Sequence, residues 1–191
     1  MKENPKVSVI IPVYNSVPWL RRCLESVICQ TLKEIQVICI DDGSTDCSPD
    51  ILRQHQQGDR RIKIFRQENA GAGAARNLGI EKASGKYLFF MDADDRCSYS
   101  LLEKAYLSAE KEKADVVVFG FLRFNEVTGE RKAFDGLSKN RLPLGYNTFS
   151  YRDVPQSICS IVNPTPWNKL IRRDLIIKND LKYMCLTTTN D

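Results

Sequence analysis

Histidine is almost missing: His55 is the only one in 191 residues, which excludes a polyhistidine metal site, and its place on the expected polar face of a helix argues against a histidine-dependent catalytic triad. A CxxC pair is also lacking. The seven cysteines, at 23, 29, 39, 47, 97, 159 and 185, are odd in number, and several sit inside apolar patterns. They read as reduced, mostly buried thiols and not as a disulfide frame or zinc site. No apolar run approaches the roughly eighteen residues of a membrane helix, and Met1-Lys2-Glu3-Asn4-Pro5 leads into a strand without a signal-peptide core. There is no basic tract: the net charge is +4 and the basic residues are scattered from Lys2 to Lys182, so no nucleic-acid footprint is present. Internal repeats and low-complexity segments are absent too. These absences lead to the expectation of a soluble, cytoplasmic chain that does not act on nucleic acid.

What is present fits a globular protein, with 42% apolar and 27% charged residues in a length sufficient for one well-packed domain and an extra subdomain. Short apolar runs alternate with helical periodicity. Val7 to Val13 reads as a strand stopped by a turn at Tyr14-Asn15-Ser16. Ser16 is the expected cap of the next helix, with Pro18 in its first turn and Leu20, Leu24, Val27 and Ile28 at helical spacing. Ile35 to Ile40 is a second strand, followed by Asp41 to Asp46 and a helix opened by Ser48-Pro49. Ile62 to Phe65 is a third strand, and a small-residue helix runs from about Ala74 to Ala83. A helix from about Leu101 to Lys113 follows the fourth strand, and Val116 to Phe124 reads as a last strand. Such alternation predicts βαβ units and a mainly parallel sheet. Beyond it, Asn125 to Gly129 can turn a hairpin, Phe134 to Tyr151 looks like a mobile loop, and Asp153 to Val162 suggests a short helix. Asn163-Pro164-Thr165-Pro166 forces an extended turn before Trp167. The final residues, Cys185 to Asp191, carry no stop signal and read as the edge of a longer protein.

The fourth strand is the focus. Tyr87-Leu88-Phe89-Phe90-Met91 runs straight into Asp92-Ala93-Asp94-Asp95. A continuous apolar run is the pattern of a strand covered on both faces, and ligand crevices in open α/β sheets lie outside the carboxyl ends of such strands. The three carboxylates repel one another unless a cation sits among them, for which a hard divalent ion is suited. The alternative is a solvated turn whose acids cap the next helix, opened by Ser98 or Ser100 with Glu103. Pro12-Val13-Tyr14-Asn15 and Asp41-Asp42-Gly43-Ser44 emerge on the same rim, where Tyr14 offers an aromatic face to a base and Asp42 an acceptor for a base N–H. Turn and capping chemistry explains each loop singly, but not their coincidence on one rim. Gly71-Ala72-Gly73-Ala74-Ala75-Arg76 is a poor dinucleotide fingerprint, with Arg76 where a third glycine belongs. It remains a small-residue helix start favouring an anion, with Arg76 as a fixed positive fork. Tight packing of that helix on the sheet accounts equally well for the alanines.

Taken in order, Pro12-Val13-Tyr14-Asn15, Val37 to Asp46, Asn69 to Gly79 and Phe89 to Asp95 resemble the successive motifs of family 2 glycosyltransferases, over residues 5 to 125. Trp167-Asn168-Lys169-Leu170-Ile171-Arg172 is similar to the acceptor-side segment of bacterial members that build surface polysaccharides. The resemblance implies an α/β, Rossmann-like GT-A fold: a mainly parallel central sheet flanked by helices, with a nucleotide-sugar half at 1–125 and an irregular acceptor-side half at 126–191. It implies a UDP-sugar donor, a divalent cation (Mn²⁺ or Mg²⁺) and inversion at the anomeric carbon. The implied nucleotide-sugar residues are Pro12, Val13, Tyr14, Asn15, Asp42, Gly73, Arg76, Asp92, Ala93 and Asp94. Asp42 would contact the base, Arg76 the nucleotide and Asp92 the ribose, and Asp94 with Asp92 would hold the metal. The family's general base comes from an acidic pair matched here by Asn190-Asp191, which assigns it to Asp191. The implied acceptor is a glycan or lipid-linked saccharide, the latter bringing the chain to the inner face of the plasma membrane. Phe134 to Tyr151 is expected to order over the donor. The alternative is a catalytically silent nucleotide-sugar-binding module or an assembly scaffold.

Overall fold

A computed structural model of the chain describes residues 5–137, 148–162 and 164–185. Its centre is a six-stranded sheet whose strands lie in the order Ile62–Gln67, Ile35–Asp42, Val7–Val13, Tyr87–Phe90, Lys169–Arg172 and Val116–Val118. Strands β1 (Val7–Val13), β2 (Ile35–Asp42), β3 (Ile62–Gln67) and β4 (Tyr87–Phe90) are parallel. Helices α1 (Val17–Ile28), α2 (Ser48–Gly58) and α3 (Gly71–Lys82) connect them, and α4 (Leu101–Glu112) leads on to β5 (Val116–Val118). This is the predicted mostly parallel α/β architecture.

The strand pleat sorts β1 between two cores. Val7, Val9, Ile11 and Val13 face one side, where Leu20, Leu24, Leu52, Leu102 and Ala105 from α1, α2 and α4 cover them. Ile10 faces the other, with Ile38, Ile40, Leu88 and Phe90, under α3 and the later helix α6 (Arg173–Lys178). Helix α3 lies close on the sheet because Gly79 has no side chain: a Cβ there would stand 2.3 Å from Ile10 Cγ2.

Four features depart from the sequence expectations. Strand β8 (Lys169–Arg172) inserts between β4 and β5 and runs antiparallel to both, so residues beyond 126 complete the sheet of the first half. The run Val116 to Phe124 is not one strand. It leaves the sheet after Val118, where Phe119 N–H donates to Asn168 O, and restarts as β6 (Phe121–Phe124), which pairs with β7 (Arg131–Phe134) around the anticipated Asn125–Gly129 turn. The Asp153 to Val162 helix shrinks to α5 (Ile158–Ile161). The cysteines are not mostly buried: Cys23 and Cys39 are, Cys97 is half-buried, and Cys29, Cys47, Cys159 and Cys185 are exposed, all seven as free thiols. Much of the expected loop from Phe134 to Tyr151 lies outside the described residues.

Candidate active site

Parallel pairing fixes the rim. Val13 is level with Asp41 and Ile10 with Phe90, so the loops leaving β1, β2 and β4 emerge together at the carboxyl edge. The first two are sewn to each other. Asn15, in the left-handed conformation (φ 47°) that Asn tolerates better than most side chains, receives at Oδ1 the N–H groups of Thr45 (2.9 Å) and Asp46 (3.3 Å), and donates its own N–H to Ser44 Oγ. The Asn15 side chain is therefore a brace between the loops. Tyr14 beside it is 50% exposed, leaving its ring free to receive a flat ligand. Pro12 is half-buried on β1, and Val13 and Ala93 are buried, so the last two can offer a ligand only backbone.

The expected serine caps are replaced by other side chains, locally at α2 and over longer range at α1 and α4. Ser16 Oγ donates to Tyr14 O instead of accepting from the helix. Asp46 caps two helices at once, accepting Val17 N–H at 3.3 Å and Ser48 N–H at 2.8 Å. Burial works against its charge, but the hydrogen bonds from Ser48 and Val17 outweigh it and hold the Asp46 carboxyl below the usual carboxylate range. Neither Ser98 nor Ser100 with Glu103 caps α4. Gln30, fully buried on the far side of the loop, accepts Leu102 N–H at 3.0 Å and donates to Ser26 O and Ser98 O, while Glu103 receives the Thr31 hydroxyl.

Asp42 supplies the anion that the start of α3 favours. It is 3% exposed; Oδ1 accepts from Gln67 Nε2 (2.7 Å) and Ala70 N–H (2.9 Å), and Oδ2 from Gly71 N–H (2.9 Å). A carboxylate at a helix N-terminus satisfies orphan N–H groups and complements the dipole. Of the four acceptor positions on this carboxylate, one on Oδ2 is left. Asp41 is held likewise, by Ser44 N–H and the Arg66 guanidinium.

At β4, the sequence-predicted residues Arg76 and Asp92 meet. Arg76 donates to Asp92 Oδ1 at 2.6 Å, with the arginine side chain 13% and the aspartate 32% exposed. Asp94 is exposed and makes no hydrogen bond or ion pair among the described residues. Asp95 keeps contact with solvent, yet desolvation by the surrounding loop, then the charges of Asp92 and Asp94, push its carboxyl up to about 6. No cluster of three metal-ligating side chains occurs among the described residues. With Asp92 committed to Arg76, Asp94 is the donor of the pair that stands open. That set fits a cation completed by ligand phosphates, as Mg²⁺ sites with one or two carboxylates commonly are, and not an all-protein cage. Asp191 lies outside the described residues.

Gly73 turns toward the far end of the chain: a Cβ there would stand 2.3 Å from Met184 O. On the other side of Asp94 opens a groove of about 1480 Å³ between α1, the loop after β4 and the β6–β7 hairpin, lined by Trp19, Arg22, Asp94, Tyr99, Phe121 and Trp167 among others. Arg22 and Glu126 pair across it at 3.0 Å, and Phe121 meets the Trp167 ring edge-on at 4.6 Å. Sequence reasoning missed this groove because it depends on where the hairpin folds back, which no local pattern encodes.

Comparison with known proteins identifies the family and the fold. The family profile described as Glycosyl transferase family 2 matches residues 8–179. Among curated proteins, Glycosyltransferase GlyA of Streptococcus pneumoniae is 42% identical over 129 residues, 68% of this chain and 18% of that protein. Putative glycosyltransferase EpsH of Bacillus subtilis is 35% identical over 187 residues, 95% of this chain and 51% of that protein. The crystal structure of S. aureus TarS 1-349 in complex with UDP-GlcNAc superposes with a TM-score of 0.74 at 25% identity, over 97% of this chain and 51% of that one. The chain thus spans about half or less of these proteins. The fold is GT-A, and no helix among the described residues is long and apolar enough to cross a membrane.

Proposed function

This chain belongs to glycosyltransferase family 2, and from that membership we propose that it transfers a sugar, with inversion, from a UDP-linked donor to a glycan or lipid-linked saccharide in surface-polysaccharide synthesis. The observation that carries the reading is the convergence of Tyr14, Asp42, Arg76, Asp92 and Asp94 on one sheet rim, in a fold shared with a protein crystallised with UDP-GlcNAc.

In this proposal the exposed Tyr14 ring stacks on the base and the remaining Oδ2 acceptor of Asp42 takes a base N–H. Arg76 and Asp92 meet the nucleotide as a pair, and Pro12, Val13 and Ala93 line it largely through backbone. Asp94 holds Mn²⁺ or Mg²⁺ with the donor's diphosphate, a cation that when bound offsets charge on the leaving phosphate. The acceptor lies in the groove shared with Asp94, where the faces of Trp19 and Tyr99 and the charges of Arg22 and Asp94 suit sugar C–H faces and hydroxyls. Asp191 takes the proton of the attacking hydroxyl. A lipid-linked acceptor would bring the chain to the cytoplasmic face of a membrane.

Release of UDP from a panel of UDP-sugars, assayed with a saccharide acceptor library, tests the proposal. Asp191→Asn is expected to abolish turnover while UDP still binds. Undiminished turnover by Asp191→Asn would reject Asp191 as the base, and absence of turnover with every UDP-sugar would reject the donor assignment.

A further inference from the structure

The segment after α6 does more than trail away. Leu181 N–H bonds back to Ile176 O at 3.0 Å, and the chain then lies along α3. There Asn77 reads the backbone of Tyr183 with both halves of its amide: Oδ1 accepts Tyr183 N–H at 2.8 Å and Nδ2 donates to Tyr183 O at 3.0 Å. The same Nδ2 approaches Cys185 Sγ at 3.7 Å. One turn earlier, Gly73 leaves room for Met184 O. Two matched amide bonds and a side-chain-free helix surface are what a closely docked strap requires.

The strap sets the Tyr183 ring against the site. Its centroid is 5.1 Å from that of Phe90, edge to face, and the Arg76 guanidinium lies 5.5 Å from its centre. Arg76 is thus held between Asp92, at 2.6 Å, and an aromatic face. Its Nε is buried and has no hydrogen-bond partner among the described residues. Asp92 alone therefore does not fix the guanidinium plane: one terminal nitrogen is tied and the neck of the fork is not.

We propose that Tyr183, locked by Asn77, is the positioning residue for Arg76: the strap from Leu181 to Cys185 holds the guanidinium on Asp92 in the orientation that meets the nucleotide. The proposal rests on the nucleotide-sugar reading above for its ligand and on the packing alone for its geometry. It makes residues more than a hundred positions after Arg76 part of the donor site.

Two readouts on the 191-residue chain test it. The first needs no ligand: the ¹⁵N-labelled Arg76 Nε–H signal is expected to exchange slowly with water in wild type and in Tyr183→Phe, which keeps the ring, and to broaden or vanish in Tyr183→Ala and Asn77→Ala. The second is UDP affinity. Tyr183→Ala is expected to weaken UDP binding roughly tenfold, in the range of coupling between contacting residues, with Tyr183→Phe near wild type. In an Arg76→Ala background, Tyr183→Ala is expected to add nothing. Additive losses in that double mutant, or an Arg76 signal indifferent to Tyr183→Ala, would overturn the positioning role. Failure of the wild-type chain to bind UDP would overturn the nucleotide reading, and the Nε–H comparison would still decide whether the strap holds Arg76.

Discussion

Arg76 and Asp92 form a 2.6 Å ion pair between helix α3 and the end of the central strand β4, with the arginine much the more buried partner. The imbalance has a consequence for stability. Removing the aspartate strands a desolvated guanidinium, whereas removing both charges leaves a site that apolar groups can fill. Asp92→Asn is expected to lower unfolding free energy by about 1–3 kcal/mol, and Asp92→Asn with Arg76→Met by less. Urea unfolding of the three proteins measures this; a double variant no more stable than the single one would contradict it.

Gln30 ties α1 to the start of α4 through the loop that carries Asp94, using both its acceptor and its donor. Leucine fills similar space but leaves Leu102 N–H without its partner and takes one of two donors from Ser98 O, which keeps Leu101 N–H. Gln30→Leu is expected to cost about 2 kcal/mol, read by urea denaturation. It is also expected to speed amide exchange at Leu102, and unchanged exchange there would show that another group caps the helix.

For Asp46 the folded carboxyl is held low by Ser48 and Val17, so its charge contributes stability above the unfolded pKa of about 3.9 and loses it as pH falls toward the folded value. Asp46→Asn retains a capping oxygen and removes the charge. The variant is expected to be less stable than wild type at pH 7, with the difference closing as pH drops below about 4. Thermal melts across pH 3 to 7 check the sign (a range on the order of the carboxylate window), and a gap that widens in acid would refute it.

At Gly73, helix propensity and packing pull in opposite directions. Alanine favours a helix interior by about 1 kcal/mol, but its Cβ would meet the Met184 carbonyl. The clash is expected to win locally, lifting the strap from α3. Trypsin cleavage after the exposed Lys182 is then faster in Gly73→Ala than in wild type. Equal cleavage would mean that the strap accommodates the methyl group.

The elements that the chain announces are those decided locally. Continuous apolar runs marked β1, β2 and β4, and the spacing of Leu20, Leu24 and Val27 marked the buried stripe of α1. What could not be read depends on partners far away in sequence. Strand β8 is four residues whose place is set by pairing with β4 and β5. The serines expected to cap α1 and α4 lost to Asp46 and Gln30, whose side chains reach those helix starts from other elements. The site residues show the same division. Tyr14, Arg76, Asp92 and Asp94 gather on the rim that a parallel sheet requires, but the hold of Asp42 on α3 and the cover of Gly73 by Met184 follow from tertiary approach. Both kinds of contact carry polar groups already spoken for by the fold.

Whether this rim binds a nucleoside diphosphate through a cation at Asp94 is decided by calorimetric titration of UDP with and without Mn²⁺, on wild type and Asp94→Ala. Saturable binding is expected in the roughly micromolar to millimolar range usual for enzyme substrates, dependent on Mn²⁺ in wild type and lost in Asp94→Ala. Absence of UDP binding under every metal condition, or binding that Asp94→Ala leaves unchanged, would contradict binding through a cation at Asp94.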